Sequence, residues 1–326
     1  MRLLFFGSGE FGLPTLGHLA QHHEVVGVVT QPDRPAGRHR QPTATPVGQF
    51  ALDHGLSVLK AQDANAPQIV AALADLAADA AVVIAFGQKL GPQLIEASGR
   101  LAVNLHASLL PQYRGAAPIN WAIIHGESET GVSVISLAQR MDAGLIYAQK
   151  PLAIAPMETA GELHDRLALL GPQVIMQVLD DFARGDLRGQ VQNESQASRA
   201  PKLSRADGWV DFDADADKVA ARIHGLTPWP GVRVGWHRQG DEVPRELILR
   251  RVAPQPDLSC FISMRPGARP APGLVQEKQR VAVRDGWVQL RQVQLPGGKV
   301  MPIDEFIRGH PIEPGDQLLP ASSPRE

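Results

Sequence analysis

The sequence predicts an α/β molecule in two parts, a doubly wound parallel sheet followed by a small β-barrel. Three observations carry that prediction. Across roughly the first 185 residues, unbroken apolar runs of strand length alternate with stretches of helical period. Residues 185 to 206 then turn polar, with Gly and Pro and no apolar face, as an interdomain linker does. Beyond them lie one helix and several short β signals separated by turn residues.

In chain order, RLLFF (2–6), EVVGVVT (24–30) and DAAVVIAF (79–86) are continuous apolar runs. A strand that must alternate polar and apolar residues has one wet face; these have none, so both faces are covered, as in a parallel sheet. Helices are expected over 14–23 and 66–78, completing a Rossmann-like arrangement. A further β-rich run spans Arg100 to Asn104. Leu163, Leu167, Leu170, Val174 and Val178 recur at helical spacing and predict one long helix from Thr159 to Asp181. After the linker a helix is expected over Asp215–Leu226, then strands in GVRVGWH, ELILRRV and GLVQEKQRVAVRDGWVQLRQVQL, with hairpin turns at 285–286 and 296–298. The boundaries drawn are 1–189 for the first domain, 190–206 for the linker, 207–319 for the second and 320–326 for a frayed tail.

Composition narrows the class. At 326 residues, two domains are the natural division, and 44% hydrophobic against 20% charged residues suits a globular chain with a proper core. The one cysteine, Cys260, cannot pair within the chain, and RLLFF is too short for a signal peptide, so a cytoplasmic setting is expected. No run approaches the length of a membrane span. The net charge of −2 hides an asymmetry: Lys218 to Arg308 holds 15 Lys and Arg against 8 Asp and Glu, a balance of +7, leaving −9 elsewhere. A basic C-terminal module points to a polyanionic partner.

Gly7-Ser8-Gly9-Glu10-Phe11-Gly12 matches the G-x-G-x-x-G pattern after a strand, and Asp33 follows 21 residues past Gly12. Alone, this would indicate NAD binding by an oxidoreductase. Yet Asp33 sits between Pro32 and Pro35 rather than at the end of the second strand. The glycines would still let a substrate approach a helix N-terminus.

The chemistry is concentrated later. Residues 102–121 read AVNLHASLLPQYRGAAPINW, and Asp142 follows 36 residues after His106. An amide, Asn104, and an imidazole, His106, at the carboxyl end of a buried strand are the parts that hold an oxyanion. They share a face if the chain stays extended. Asp142 is the only acid in VSVISLAQRMDAGLIYA, and Gly144 beside it would allow close approach.

These strings, with GVVTQPDRPAGRHRQ (27–41), RMDAG (140–144) and LTPWPGVRV (226–234), resemble the folate-dependent formyltransferase family, over about residues 3 to 319. Within it the resemblance is to the branch acting on initiator tRNA. The resemblance implies an OB-like barrel in the second domain. It also implies transfer of the formyl group of 10-formyltetrahydrofolate to the α-amine of methionyl initiator tRNA, without a metal. Catalytic roles would fall to Asn104, His106 and Asp142. Asn104 and His106 would stabilise the oxyanion, while Asp142 orients His106 and assists amine deprotonation. Folate would lie along Phe86, Gly87 and Gln88, along Ser108, Leu109, Leu110 and Pro111, and along Leu137 to Met141, chiefly Gln139 and Arg140. The 31–46 loop, expected to be mobile and without a hydrophobic anchor, would offer Arg34, Arg38 and Arg40 to tRNA, Arg38 first. A monomer is the expected form.

The chain departs from the family pattern at three places: Ala107 stands for the usual glycine, SGEFG lacks a proline, and Gln88-Lys89 replaces an aliphatic pair. None of these removes a catalytic group. Alternatives remain at this stage. A small amine such as an aminosugar nucleotide could be the acceptor, or water, releasing formate. An NAD-dependent oxidoreductase and a catalytically silent RNA-binding module are more distant readings.

Overall fold

The apolar runs become neighbouring strands. In the computed structural model, which describes residues 1–36, 41–256 and 270–320, a seven-stranded sheet runs in the order Val58–Lys60, Glu24–Thr30, Arg2–Gly7, Ala80–Ile84, Leu101–His106, Glu129–Ser136, Ile146–Ala153. The first five are parallel, and Glu129–Ser136 runs antiparallel to Leu101–His106. Leu3, Leu4, Phe5 and Phe6 are all fully buried, which is why their run shows no alternation. Each such side chain contributes about 1.5–3 kcal/mol of apolar burial.

Helices cover both faces. Leu13–His22 packs on Gly171–Arg184, while Pro67–Ala74 and Pro92–Ala97 pair with each other. Leu73 and Leu94 from that second pair join a core with Leu4, Phe6 and Val83. The chain order reverses between Arg2–Gly7 and Ala80–Ile84, the place where such sheets open a crevice beyond their carboxyl ends.

Two elements differ from expectation. The single helix expected over Thr159–Asp181 is two, Ala160–Ala168 and Gly171–Arg184. Pro172 in the first turn of the second helix has no N–H to continue the ladder from the first. Leu163, Leu167, Val174 and Val178 are buried all the same, and Leu170 falls at the break. The polar stretch after Gly185, whose φ of 76° ends the helix, is not free chain. Gln190 exchanges backbone hydrogen bonds with Ile146 at 2.8 Å, and Ser198 accepts from Arg114 N at 2.9 Å.

The chain divides into two compact units. One comprises Met1–Gly115, Thr130–Leu152 and His164–Arg199; the other comprises Ala116–Glu129, Ala153–Leu163 and Ala200–Glu326. In the second unit, helix Pro118–Ile124 lies against helix Ala216–Gly225. Its antiparallel strands run in the order Val275–Gln276, Arg280–Val283, Gly286–Gln294, Arg245–Pro256, Val232–His237, Gln317–Pro320, with Val300–Pro302 on Gly286–Gln294. Leu318 N donates to Gly273 O and Val275 N to Asp316 O, both at 2.8 Å, so the ends of the sheet meet in a nearly closed barrel. Trp236 is fully buried at its centre and donates Nε1–H to Asp316 Oδ2 at 2.8 Å. No helix among the described residues is long and apolar enough to cross a membrane. Cys260, Arg38, Arg40 and the tail from 321 lie outside the described residues.

Candidate active site

The strand carrying the amide and imidazole extends past Asn104 and ends at His106, spanning Leu101–His106. Asn104 stands opposite Val83 and Ile135, and His106 opposite Ser133. Strand alternation therefore places both on one face. His106 is 6% exposed. Its Nε2 lies 2.8 Å from Tyr113 O; a carbonyl only accepts, so Nε2 carries a proton. Nδ1 faces Asp142 Oδ2 at 3.7 Å, too long for a hydrogen bond. The same carboxylate oxygen accepts from Gly115 N at 2.9 Å, which fixes its direction.

Both residues that flank the ring have left-handed backbone: φ is 59° at Tyr113 and 54° at Asp142. Such conformations cost about 1–3 kcal/mol each and persist where surrounding contacts over-determine them, as at functional sites. Gly144 plays a different part from the one its sequence position indicates. A Cβ there would overlap the Ser136 carbonyl oxygen, so this glycine lets the Asp142 loop press onto the neighbouring strand.

A polar cluster braces that loop. Gln192, 6% exposed, donates through Nε2 to Asp142 O and Gly144 O, both at 2.8 Å. Its Oε1 accepts from Arg114 Nε at 3.0 Å and Nη2 at 2.7 Å. Arg114 also holds Glu194 through two hydrogen bonds of 3.1 and 2.9 Å, and Arg140 reaches Glu194 at 3.0 Å. Hydrogen bonds from Arg114, then from Arg140, hold the Glu194 carboxyl below its usual range. Sequence reasoning missed Tyr113, Gln192 and Glu194. Tyr113 lay within the motif but acts through its backbone, and nothing local marks a glutamine 50 residues beyond Asp142.

Two of the segments expected to line the folate site follow the carboxyl ends of neighbouring strands, Ala80–Ile84 and Leu101–His106. Phe86 is buried against Phe6, with ring centroids 5.6 Å apart. Ala85 and Gly87 on either side are exposed with φ of 47° and 81°. The Gln88 side chain turns away to bond Ala64 N and Ala61 O at 2.9 Å, so this turn offers backbone rather than side chains. Lys89 Nζ donates to Gln139 O at 2.9 Å, joining it to the 137–141 segment, where Gln139 and Arg140 are exposed. Ser108 is fully buried and donates to Gln112 O at 2.6 Å; Leu110 is buried, and Leu109 and Pro111 are half-buried. Ser133 Oγ and Gln149 fasten this loop, accepting from Leu110 N and donating to Leu110 O.

The glycine-rich turn packs tightly. A Cβ on Gly7 would meet Phe5 Cε1 of the same strand at 2.6 Å, and one on Gly12 would meet Phe5 Cζ at 3.1 Å, so both glycines make room for the Phe5 ring. A Cβ on Gly9 would meet Ala85 Cβ at 3.6 Å, an ordinary contact. Asp33 pairs with Lys60 at 2.7 Å. The 31–46 segment, expected as a mobile loop, has an antiparallel ladder of Arg34–Ala36 with Gln41–Thr43 at its base. Arg34 hydrogen-bonds Gln31 Oε1. Among the described residues no group of three or more His, Cys, Asp or Glu could hold a metal ion.

Comparison with known proteins follows the same lines. The family pattern "Formyl transferase" matches residues 1–179, and "Formyl transferase, C-terminal domain" matches 202–311. The methionyl-tRNA formyltransferase of Heliobacterium modesticaldum is 40% identical over 97% of this chain and 99% of its own. That of Geobacter metallireducens is 37% identical over 98% of each. Among solved structures, HypX from Aquifex aeolicus aligns with a TM-score of 0.62 at 17% identity, covering 96% of this chain and 50% of its own. The N-formyltransferase from Helicobacter canadensis, in complex with folinic acid and dTDP-3-aminofucose, gives a TM-score of 0.62 at 14% identity, over 88% and 97%. Those two likenesses show the fold.

Proposed function

The chain belongs to the formyl transferase family, and we propose that it transfers the formyl group of 10-formyltetrahydrofolate to the α-amine of methionine carried by initiator tRNA. One observation carries the chemistry: the His106 ring is held between Tyr113 O and a carboxylate oxygen of Asp142, two residues past Asn104 at the open end of the sheet. Full-length similarity to enzymes named for methionyl-tRNA supports the choice of acceptor.

In this reading a bond forms between the amine nitrogen and the formyl carbon, and the bond from that carbon to the folate nitrogen breaks. One proton leaves the amine and one reaches the folate nitrogen. The Asn104 amide donates to the formyl oxygen as negative charge develops there. Because Nε2–H of His106 is committed to Tyr113 O, the ring addresses the reaction through its Nδ1 edge. Asp142 lies across that edge and accepts the amine proton, directly or through water. Tyr113 O and Gly115 N keep the imidazole and carboxylate from turning away.

Folate would lie along the exposed backbone at Ala85 and Gly87 and along Leu137–Met141, with Phe86, Gln88, Ser108, Leu109, Leu110, Pro111, Gln139 and Arg140 shaping these loops. A pterin edge presents a fixed array of donors and acceptors that rigid backbone can mirror. We assign the chemistry to the first unit and tRNA binding to the basic barrel, helped by Arg34, Arg38 and Arg40. Phosphate contacts from such arginines give affinity without reading sequence.

The test is a transfer assay with 10-formyltetrahydrofolate, charged initiator tRNA, and charged elongator methionyl-tRNA as control. Formylation of the initiator alone is the expected outcome. Formylation of a small amine with neither tRNA modified would move the chain to the aminosugar branch. Formate release without an acceptor would make it a hydrolase.

A further inference from the structure

We propose that Gln192 is a positioning residue for Asp142, locked in its working orientation by Arg114. This rests on the reading that Asp142 takes the amine proton. The Gln192 amide has two hydrogens and two lone pairs, and all four are used. The hydrogens go to Asp142 O and Gly144 O, and the lone pairs receive Arg114 Nε and Nη2. Turning the amide over would set its oxygen against two carbonyls and its NH2 against a guanidinium, so Arg114 decides which way it faces. Glu194 in turn holds Arg114 at both Nη atoms. The result is a chain of polar contacts from a surface carboxylate to the backbone on either side of Ala143.

That backbone needs an external partner. Asp142 has a left-handed φ of 54°, and the carbonyls of Asp142 and Gly144 converge on the one buried NH2 group. Gly115 N fixes the end of the Asp142 side chain, and Gln192 fixes the carbonyls of the main chain that carries it, beside a turn in which Ala143 N donates to Arg140 O at 3.3 Å. Gln192 thus reaches the backbone beneath the 3.7 Å pair of His106 Nδ1 and Asp142 Oδ2 from a segment 50 residues away.

Gln192→Glu is nearly isosteric, keeps an acceptor for Arg114, and replaces the NH2 with an oxygen facing both carbonyls. A displacement near 1 Å costs about 10²-fold in rate. The expected result is a fall in kcat of that order, KM for folate and tRNA within about threefold by the same positioning argument, and a displaced limb in the pH dependence of kcat. Amide hydrogen exchange in the intact, substrate-free protein should quicken over 140–145 while that of Ala80–Ile84 is unchanged. Wild-type kcat and pH profile in Q192E, or unaltered exchange over 140–145, would overturn the proposal. If Q192E does not fold, Gln192→Ala, which removes the amide without adding charge, carries the same measurements. The exchange readout needs no reaction, so wild-type protein inactive toward methionyl-tRNA would sink the functional reading and leave this result standing or falling by itself.

Discussion

Asn104 and His106 reach the open end of the sheet together because a strand turns alternate residues to one face and this strand ends at His106. Their residue types and spacing were legible in the sequence. What holds them was not: Tyr113 contributes a carbonyl, which every residue has, and Gln192 meets Asp142 only after folding. At this scale the assignment of Asn104 is directly testable. Asn104→Ala should lower kcat by about 10²–10³-fold, the usual effect of removing one oxyanion donor. Folate binding, measured by fluorescence or calorimetry, should change little, because the proposed folate contacts come from other segments. Equal loss of folate binding and turnover would instead place Asn104 in ground-state recognition.

Elements position the site through close approach. Apolar periodicity located the strands and most helices, since burial on two faces or one leaves a direct trace in composition. It failed at the break before Gly171, where Leu163 to Val178 keep their spacing across two helices. Spacing alone does not register that Pro172 cannot continue a ladder. The glycines show the same limit. Gly144 beside Asp142 reads as room for a substrate, yet the space belongs to the Ser136 carbonyl. Gly144→Ala should therefore act on structure first, lowering stability by about 1–3 kcal/mol as overpacking does, with activity falling because the Asp142 loop lifts. Urea denaturation compared with turnover checks this; an unchanged midpoint would mean that the loop has space to spare.

For the whole molecule, a buried histidine links stability to pH. His224 in the second unit is 4% exposed and accepts from Val252 N at 3.2 Å. Burial lowers its pKa from 6.5 to about 4. Above pH 6.5 it is neutral whether the chain is folded or not. Between about 6.5 and 4 the unfolded chain takes up the proton first, so stability should fall with pH through that window by about 3 kcal/mol. Glu162 acts lower: burial raises its pKa, but hydrogen bonds from Thr159 and Arg251 outweigh that and lower it. Its contribution is present above its unfolded value of 4.5 and is lost as pH falls through the folded one. Urea midpoints at pH 7 and 5 should differ in the wild type and converge in His224→Gln. A slope unaffected by that change would assign the effect to other groups.

The sequence by itself determined the two-part architecture, the strand carrying Asn104, and the net positive charge of Lys218 to Arg308. Periodicity, net charge and short motifs are local quantities, and a linear string records them. Only the tertiary structure decided that His106 is clamped by Tyr113 O, that Gly7, Gly12 and Gly144 serve packing, and that Gln192 and Arg114 brace Asp142. Those facts depend on which backbone atoms and distant side chains come within 3 Å, a separation that chain spacing does not encode.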